Sequence, residues 1–324
     1  MSEASPRQVY LGVDVGSVST NFILYDGREP SDKAVVWKRY LRTRGAPLEA
    51  LRMGLKAMYE GGNWEVVGVG TTGSGRELAG VVLGADVVKN EITAHAIAAL
   101  NQNRDVQTVI EIGGQDSKLI VIRNGVVVDF AMNTVCAAGT GSFLEQQAMR
   151  LGIPVDQLGS LALGSTTPVR IAGRCTVFAE SDMIHKQQLG HSMEDIVAGL
   201  CSSMARNYLN NVAKGKELVP VVFFQGGVAA NQGMRRALQD FIGCPVEVPE
   251  HFDVMGAIGA AILAKERLER TGAITKFVGT SLLSSSYRNN SYLCDRCPNQ
   301  CEIVEIWRDG VFLAGWGARC GRTI

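Results

Sequence analysis

The chain contains 324 residues, of which 46% are hydrophobic, and its 32 Lys and Arg residues balance its 32 Asp and Glu residues. This length and apolar content suffice for one large core or two lobes, and they argue against intrinsic disorder. A formal net charge of zero provides no basic field for nucleic acid or an anionic membrane, so neither is expected as a partner.

The N-terminal residues contain no basic segment followed by an apolar one, and no run of about 18 apolar residues occurs that would span a bilayer. We therefore expect a cytoplasmic protein. Cytoplasmic thiols are kept reduced, so the spacing of the eight cysteines indicates metal or redox chemistry more readily than disulfide bonds.

Apolar runs alternate with short glycine turns along the chain, a pattern typical of an α/β fold. The predicted strands are residues 9–15, 21–25, 64–70, 108–112, 118–123, 126–130 and 219–224. The predicted helices are residues 48–59, 91–100, 142–151, 177–189, 193–211, a segment ending near 240, and 255–270. This order predicts two α/β halves joined by crossing helices, and the predicted units are a first lobe (1–91 and 254–275), a second lobe (92–253) and a C-terminal module (276–324). A Ser-rich segment, residues 281–286, predicts a flexible link.

The first glycine turn, GVDVGS at residues 12–17, follows the first predicted strand. Its N–H groups can face a phosphate and Asp14 can hold Mg²⁺ through water, although an ordinary strand–turn–strand has the same pattern. Residues 111–118 repeat the combination of acid, glycines and hydroxyl, and residues 225–231 form a third glycine turn before a helix. The candidate nucleotide-binding residues are Gly12, Gly16, Ser17, Gly113, Gly114, Gln115, Asp116, Gly226, Gly227, Ala229 and Asn231.

Five segments in this order resemble the signature segments of the superfamily that contains acetate and sugar kinases, heat-shock chaperones and actin. They are residues 12–17 (phosphate-1), 90–96 (first connecting helix), 111–118 (phosphate-2), 226–231 (adenosine) and 255–261 (second connecting helix). The resemblance implies a two-lobed, actin-like and ribonuclease H-like ATPase that binds ATP or ADP between its lobes. It also implies that Asp14 and Glu111 serve Mg²⁺ and the attacking water and that Glu91 lies near the γ-phosphate. A solvated helix carboxylate is the alternative for Glu91.

The superfamily pattern also includes a positive charge near the phosphates. Many members carry a lysine shortly after the first glycine turn, where this chain has Asn21. Such a charge helps to neutralise the transition state of phosphoryl transfer. We expect Arg76 or Lys118 to supply it.

Two cysteines, Cys136 and Cys175, each stand at the start of a predicted helix. The helix dipole favours a thiolate there, although most single cysteines are inert core residues. The strings VCAAGTGSFLE and RCTVFAES around them resemble the ATPase activators of 2-hydroxyacyl-CoA dehydratases and the ATPase subunits of benzoyl-CoA reductases. This likeness extends over about residues 9–269.

The resemblance implies a homodimer that holds one [4Fe–4S] cluster between its subunits. A cubane takes four thiolates, and two chains with two cysteines each provide four. Further implied are ATP-driven electron transfer, a ferredoxin or flavodoxin donor, and an iron–sulfur dehydratase, reductase or double-cluster acceptor. A small-molecule kinase and a regulatory or filament-forming ATP-binding protein are the alternatives, and neither accounts for the two cysteines.

The C-terminal module contains Cys294, Cys297, Cys301 and Cys320, with a hairpin predicted between the third and the fourth. It resembles the four-cysteine [4Fe–4S] domain of molybdopterin oxidoreductases and a segment of larger activase-related proteins. A second [4Fe–4S] cluster, Zn²⁺ and no metal remain alternatives. The other two cysteines, Cys201 and Cys244, are interpreted as structural. The four histidines are not at metal-ligand spacing and are interpreted as ordinary helix or loop residues, namely His95, His185, His191 and His251.

Overall fold

The computed structural model describes residues 5–31, 33–133 and 136–320. Contacts within the chain divide it into two compact units. Unit 1 comprises the residues up to Gly16, Thr20–Asn90 and the chain from Ala260 onward, and unit 2 comprises Ser17–Ser19 and Glu91–Gly259. The C-terminal module therefore belongs to unit 1 by its contacts.

Strands and helices alternate along the chain, as the sequence pattern predicts. The strands are β1 (Arg7–Val15), β2 (Ser19–Tyr25), β3 (Val35–Arg42), β4 (Trp64–Thr72), β5 (Val87–Val88), β6 (Thr108–Ile112), β7 (Ser117–Arg123), β8 (Val126–Asn133), β9 (Val222–Gln225), β10 (Val246–Glu247), β11 (Tyr287–Leu293), β12 (Glu302–Arg308) and β13 (Val311–Trp316). The helices are α1 (Pro47–Glu60), α2 (Arg76–Leu83), α3 (Glu91–Gln102), α4 (Gly141–Leu151), α5 (Leu158–Leu163), α6 (Thr176–Gln188), α7 (Met193–Asn211), α8 (Gln232–Ile242), α9 (Met255–Thr271) and α10 (Ser281–Ser284). Short 3₁₀ turns occupy Ala137–Gly139, Val155–Gln157 and Gly227–Ala230. In the described part of the chain, no helix combines the length and the apolar character needed to cross a bilayer.

The main sheet of unit 1 has the strand order β3-β2-β1-β4-β5. Strand β1 pairs antiparallel with β2 and parallel with β4. Its alternate residues Val9, Leu11 and Val13 are fully buried, and helix α1 buries Leu51 and Leu55 in the same core. The spacing of apolar residues at period 2 in the strand and about 3.6 in the helix produces this core.

The sheet of unit 2 has the order β10-β9-β6-β7-β8. Read from the β8 edge, it matches the unit 1 sheet strand for strand, with β6 in the place of β1. Strand β6 pairs antiparallel with β7 and parallel with β9. Helices α4 to α8 cover a second core whose largest buried side chain is Tyr208. The repeated order places the turn after β6 at the position in its sheet that the turn after β1 has in the first sheet.

The C-terminal module is a three-stranded antiparallel sheet in the order β11-β12-β13. Its Ile306 and the Leu282 side chain of α10 are almost fully buried in the core of unit 1. The prediction of a flexible link at residues 281–286 is therefore wrong, because Leu282 anchors this segment as a short helix. Strands β3 and β11 were also missed, since most of their residues are exposed and show no apolar alternation.

Candidate functional site

The phosphate-1 turn lies where β1 ends in unit 1. Asp14 stands opposite Asn21 of β2 and Thr72 of β4 in the sheet register. The N–H of Gly75 donates to the carbonyl of Val15 at 2.8 Å and holds the turn after β4 beside the turn after β1. The turn after β4, the strand next to β1, therefore lies directly beside Asp14.

Glycine is required at position 73 for two reasons. Its φ of 90° is in the region that favours glycine, and a Cβ there would collide with the Asp14 carboxylate and the Val15 backbone. The guanidinium of Arg76 donates to the Gly73 carbonyl at 3.1 Å, so this arginine supports the turn. The close approach of the turn after β4 to Asp14 therefore depends on glycine at position 73.

The predicted residues of phosphate-1 divide into two groups. Gly12 lies within β1, opposite Ile23 of β2 and Gly70 of β4. Gly16 and Ser17 lie in the turn between β1 and β2, and the Gly16 carbonyl accepts a hydrogen bond from Thr43 Oγ1 at 2.9 Å. Gly16 and Ser17 therefore have the turn position that a phosphate contact requires, and Gly12 does not.

Unit 2 contains a carboxylate cluster built around Lys118, which we define as Glu91, Glu111, Asp116 and Lys118. Glu111 of β6 faces Lys118 of β7 in the antiparallel register. The Lys118 Nζ lies 2.9 Å from Glu111 Oε2, 2.9 Å from Asp116 Oδ1 and 3.0 Å from Glu91 Oε2. Lys118 and Glu111 are buried, whereas the side chains of Glu91 and Asp116 are 20% and 35% exposed. The two more exposed carboxylates are therefore the ones that a ligand can reach.

The charges of this cluster do not balance, because three carboxylates share one ammonium. Burial raises the pKa of Glu111, while the neighbouring Lys118 opposes that rise. For Lys118, burial lowers the pKa, but the attraction of Glu111, Asp116 and Glu91 outweighs burial and the net change is upward. An ammonium held in place among three carboxylates leaves an excess of negative charge, which is the environment that a divalent cation prefers.

Three further residues complete the surroundings of the cluster, and sequence reasoning assigned none of them. Gln225 of β9 lies opposite Glu111, and its Nε2 is 2.7 Å from Nδ1 of His95. Burial lowers the pKa of His95 to about 4, with Lys118 as the next cause, so the imidazole is neutral near pH 7. The hydroxyl of Tyr208 donates to the Lys118 carbonyl at 2.8 Å. His95 lies in helix α3, as predicted; its burial beside the cluster was not predicted, and its position four residues after Glu91 was the available signal.

The phosphate-2 turn, Gly113 to Asp116, connects β6 with β7 and is tied directly to the start of α4. The N–H of Gly141 donates to the Gly113 carbonyl at 2.8 Å. The N–H and the hydroxyl of Ser142 both donate to the Gly114 carbonyl, at 2.8 and 2.5 Å. A movement of this turn therefore displaces the first residues of α4.

The remaining turn residues have clear positions. Gln115 is exposed at the tip of the turn, and the Gly113 N–H donates to the Asp116 carbonyl at 3.0 Å. A side chain at Gly226, whose φ is 88°, would place its Cβ 2.6 Å from Glu111 Oε1, so the adenosine turn packs against the carboxylate cluster.

The adenosine turn continues as a 3₁₀ turn that contains Gly227 and Ala229. An open pocket of about 650 Å³ lies beside it, lined in part by Ala229, Ala230, Arg235 and Phe252. Asn231 uses its side chain to cap α8, accepting the N–H of Met234 at 3.0 Å. Ala229 thus lines a pocket of the size of ligand sites, while Asn231 has a structural role in the helix.

Cys136 and Cys175 come together in unit 2. Cys136 precedes the 3₁₀ turn before α4, Cys175 precedes α6, and both are half-buried free thiols. The Cys136 thiol donates to the carbonyl of Arg174, the residue before Cys175, at 3.8 Å. Two helix-start thiols 39 residues apart in sequence are therefore neighbours on one part of the surface.

Polar side chains fix the backbone at both cysteines. Asn133 brackets Cys136, donating to its carbonyl at 2.7 Å and accepting from its N–H at 3.0 Å. The loop before Cys175 is held by donors of α7, namely Ser203 Oγ to Ala172 O (2.6 Å), Arg206 to Ile171 O (2.6 Å) and Asn207 Nδ2 to Gly173 O (2.5 Å). Cys201, in contrast, is fully buried, and burial raises its pKa to about 12, which agrees with its interpretation as structural.

Two thiols per chain fit half of the ligand set of a [4Fe–4S] cluster. Both are free thiols that reach the surface; Cys175 directly precedes α6, and Cys136 precedes the three-residue 3₁₀ turn before α4. Within the described ranges of the chain, no three His, Cys, Asp or Glu side chains are arranged to hold a metal ion. Two thiols per chain are fewer than the four that a [4Fe–4S] cluster takes.

Comparisons with known proteins bear on this arrangement. The model of the BadF/BadG/BcrA/BcrD ATPase family matches residues 11–264. The (R)-2-hydroxyglutaryl-CoA dehydratase activating ATPase of Acidaminococcus fermentans is 36% identical over 262 residues, which cover 79% of this chain and 97% of that protein. One of the benzoyl-CoA reductase subunits of Thauera aromatica is 33% identical over 192 residues, which cover 56% of this chain and 67% of that protein.

A solved structure supports the same likeness. The activator of the 2-hydroxyisocaproyl-CoA dehydratase from Clostridium difficile, with bound ADPNP, aligns with a TM-score of 0.73 at 30% identity, covering 82% of this chain and 97% of that one. The predicted actin-like ATPase fold and the predicted family resemblance are both confirmed.

Proposed function

The chain belongs to the BadF/BadG/BcrA/BcrD ATPase family, and from that premise we propose that this ATPase is a reductive activator. It uses ATP hydrolysis to drive single electrons from a ferredoxin- or flavodoxin-type donor to an iron–sulfur partner. The acceptor is a 2-hydroxyacyl-CoA dehydratase, an aryl-CoA reductase or a related double-cluster protein. The related proteins described above act on, or form part of, such enzymes.

The observation that carries this proposal is the adjacency of Cys136 and Cys175. The Cys136 thiol lies 3.8 Å from the carbonyl of Arg174, the residue before Cys175, and Asn133 and α7 fix the backbone at both cysteines. Nucleotide binding alone would not require two free thiols at neighbouring positions. A [4Fe–4S] cluster bound by these thiols and by their equivalents in a second copy supplies one-electron redox chemistry. The chain's own part is to hold the two thiols in place, Cys136 before a 3₁₀ turn and Cys175 before α6.

Exposed apolar side chains near the cysteines support a homodimer. Val126, Val128 and Phe130 of the edge strand β8 are each more than half exposed, as are Val177 and Phe178 at the start of α6. Strand β8 ends at Asn133, which binds the backbone of Cys136. Exposed apolar groups can mark interaction surfaces, and Val177 and Phe178 directly follow Cys175 at the start of α6.

We assign the ATP chemistry to the three glycine turns and three carboxylates. Asp14 would hold Mg²⁺ through water, Glu111 would serve the metal and the attacking water, and Glu91 would face the γ-phosphate. Gly16, Ser17, Gly113, Gly114, Gln115 and Asp116 would contact phosphates, and the pocket beside Ala229 would take the nucleoside. Of the two candidate cations, Lys118 has its buried ammonium among the three carboxylates, and Arg76 supports the Gly73 turn.

The connection between the phosphate-2 turn and α4 provides a route from nucleotide to thiol. The Gly113 and Gly114 carbonyls accept hydrogen bonds from Gly141 and Ser142, and Cys136 precedes these residues by only a short 3₁₀ turn. A change in the turn when the γ-phosphate is lost would therefore be transmitted to Cys136. Because the proposed chemistry needs reduced thiols, we place the protein in the cytoplasm.

The test is the effect of nucleotide on the redox potential of the cysteine-bound cluster. The protein is purified without oxygen and titrated with ADP and with ADPNP, and the reduced cluster is followed by electron paramagnetic resonance. We expect the midpoint potential to differ between the two nucleotides. Ser142→Ala should reduce this difference while the iron content stays the same, because the hydroxyl bond to Gly114 is lost.

Ser160→Ala is the matched control. Ser160 also donates its hydroxyl to a backbone carbonyl, that of Gln157 at 2.9 Å, but at an exposed position of α5. This variant should retain the full difference in potential. Equal potentials with both nucleotides in the unmodified protein would contradict the proposed coupling.

A further inference from the structure

Four cysteines remain outside the proposed activator site and outside the family match, which ends at residue 264. Three follow β11 or precede β12, namely Cys294, Cys297 and Cys301, and Cys320 follows β13. Strands β11 and β13 both pair antiparallel with β12. The end of β11, the start of β12 and the end of β13 therefore lie at the same end of the sheet, and so do all four cysteines.

Hydrogen bonds fix the backbone at this end. The Cys294 N–H donates to the Cys301 carbonyl at 2.8 Å, one position beyond the last pair of the β11–β12 ladder. Between them, the Gln300 N–H donates to the Cys297 carbonyl at 3.2 Å, and Gln300 has a φ of 42°. Cys297 is thus carried by a tight turn that brings the chain back to Cys301.

The fourth cysteine approaches through its neighbour. The N–H of Arg319 donates to the sulfur of Cys301 at 3.5 Å, which brings the residue before Cys320 against the cysteine that precedes β12. Backbone N–H bonds to cysteine sulfur are a regular feature of thiolate metal centres and tune them. Arg296 and Arg319 are sequence neighbours of Cys297 and Cys320 and add positive charge at this end of the sheet.

From this arrangement we infer that Cys294, Cys297, Cys301 and Cys320 bind a [4Fe–4S] cluster within each chain. Three ligands close in sequence and a distant fourth form a pattern typical of iron–sulfur sites, whereas structural zinc sites are usually built from two close pairs. The strands behind the cysteines are anchored, because Ile306 of β12 is buried in the core of unit 1. In the described part of the chain no three of these thiols are arranged to hold a metal ion; assembly of the cluster would draw them together, as metal binding does in small cysteine sites.

The test is metal analysis of the full chain purified without oxygen, in a variant that cannot form the proposed bridging cluster. Cys136→Ala/Cys175→Ala should retain about four irons and four acid-labile sulfides per chain, all in the C-terminal site. Cys297→Ala should lose these, together with the corresponding signal in electron paramagnetic resonance, and should keep the contribution of Cys136 and Cys175. The two sites are thus counted separately, so failure of one proposal does not affect the other.

Cys244→Ala is the control, since Cys244 is half-buried and lies in neither site. Cys320→Ala is the second variant, because Cys320 is exposed and its replacement does not disturb the core. It should lose the same irons if Cys297→Ala fails to fold. An iron-free Cys136→Ala/Cys175→Ala protein, or about one zinc per chain that depends on Cys297, would overturn the inference.

Discussion

Lys118 connects most of the polar groups that surround the phosphate-2 turn. Its ammonium contacts three carboxylates between 2.9 and 3.0 Å, and its carbonyl accepts from Tyr208. Removing one partner of a buried ion pair leaves the others uncompensated, at a cost of about 3–5 kcal/mol. The position is therefore essential to the folded arrangement of Glu91, Glu111 and Asp116, apart from any contact with a nucleotide.

His95 permits a prediction about pH. Its pKa falls from its usual value of 6.5 to about 4 in the folded protein, first because of burial and then because of Lys118. Between these two values the unfolded chain binds a proton that the folded chain does not, so the free energy of unfolding falls as pH falls through this window. The size of the pKa change corresponds to about 3 kcal/mol.

His95→Asn should remove this part of the pH dependence, since an amide keeps an acceptor near Gln225 and does not titrate. The measurement is urea unfolding at several pH values between about 4.5 and 7.5, a range that contains most of the window. His185→Asn, at an exposed position of α6, is the control and should follow the unmodified protein. If the free energies of unfolding of His95→Asn and His185→Asn change in parallel with pH across this range, His95 is not buried as a neutral group.

At the scale of the elements, helix α10 attaches the chain before the C-terminal sheet to the core of unit 1. Leu282 is fully buried, whereas its neighbour Leu283 is 39% exposed. Leu282→Ala should lower the free energy of unfolding of unit 1 by about 2–5 kcal/mol, because it leaves a cavity in the core. Leu283→Ala is the matched control and should cost much less.

Tryptophan fluorescence reports on unit 1 alone. The four tryptophans of the chain, Trp37, Trp64, Trp307 and Trp316, all lie in that unit. Urea unfolding followed by this signal therefore measures the unit that contains Leu282. Equal midpoints for Leu282→Ala and Leu283→Ala would mean that the segment does not stabilise the unit.

The sequence predicted the elements that bury an apolar face and missed those that do not. Strands β1, β6 and β7 have regular apolar residues and short turns, and their predicted positions are confirmed within two residues. Strand β3 was missed because Lys38, Arg39 and Tyr40 are exposed in succession. Exposed strands are held by pairing with a neighbour, and that pairing leaves no local pattern.

The candidate site divides in the same way. Glycine turns and the cysteine strings are local features, so Gly113, Gly114 and Cys136 could be proposed from the sequence. The contact between Gln225 and His95 joins residues 130 positions apart and follows only from the order of strands β9, β6 and β7. Lys118 was a candidate cation, but its contact with Glu111 depends on the antiparallel register.

At the scale of the whole molecule, the account depends on a second copy of the chain. One chain offers two thiols at the proposed bridging site, and exposed apolar residues of β8 and α6 adjoin them. A cluster shared in this way would make the dimer and the iron content depend on the same two residues. Loss of Cys136 or Cys175 should therefore remove both properties together, while ADP binding persists through different residues.

The most direct test is native mass spectrometry of the oxygen-free protein, comparing Cys175→Ala with Cys244→Ala. The account predicts that Cys244→Ala is a dimer and that Cys175→Ala is a monomer. The Cys244→Ala dimer should contain about four irons and four sulfides more than two Cys175→Ala monomers contain in total. A Cys175→Ala protein that remains dimeric with an unchanged iron content would contradict the bridging cluster and, with it, the proposed function.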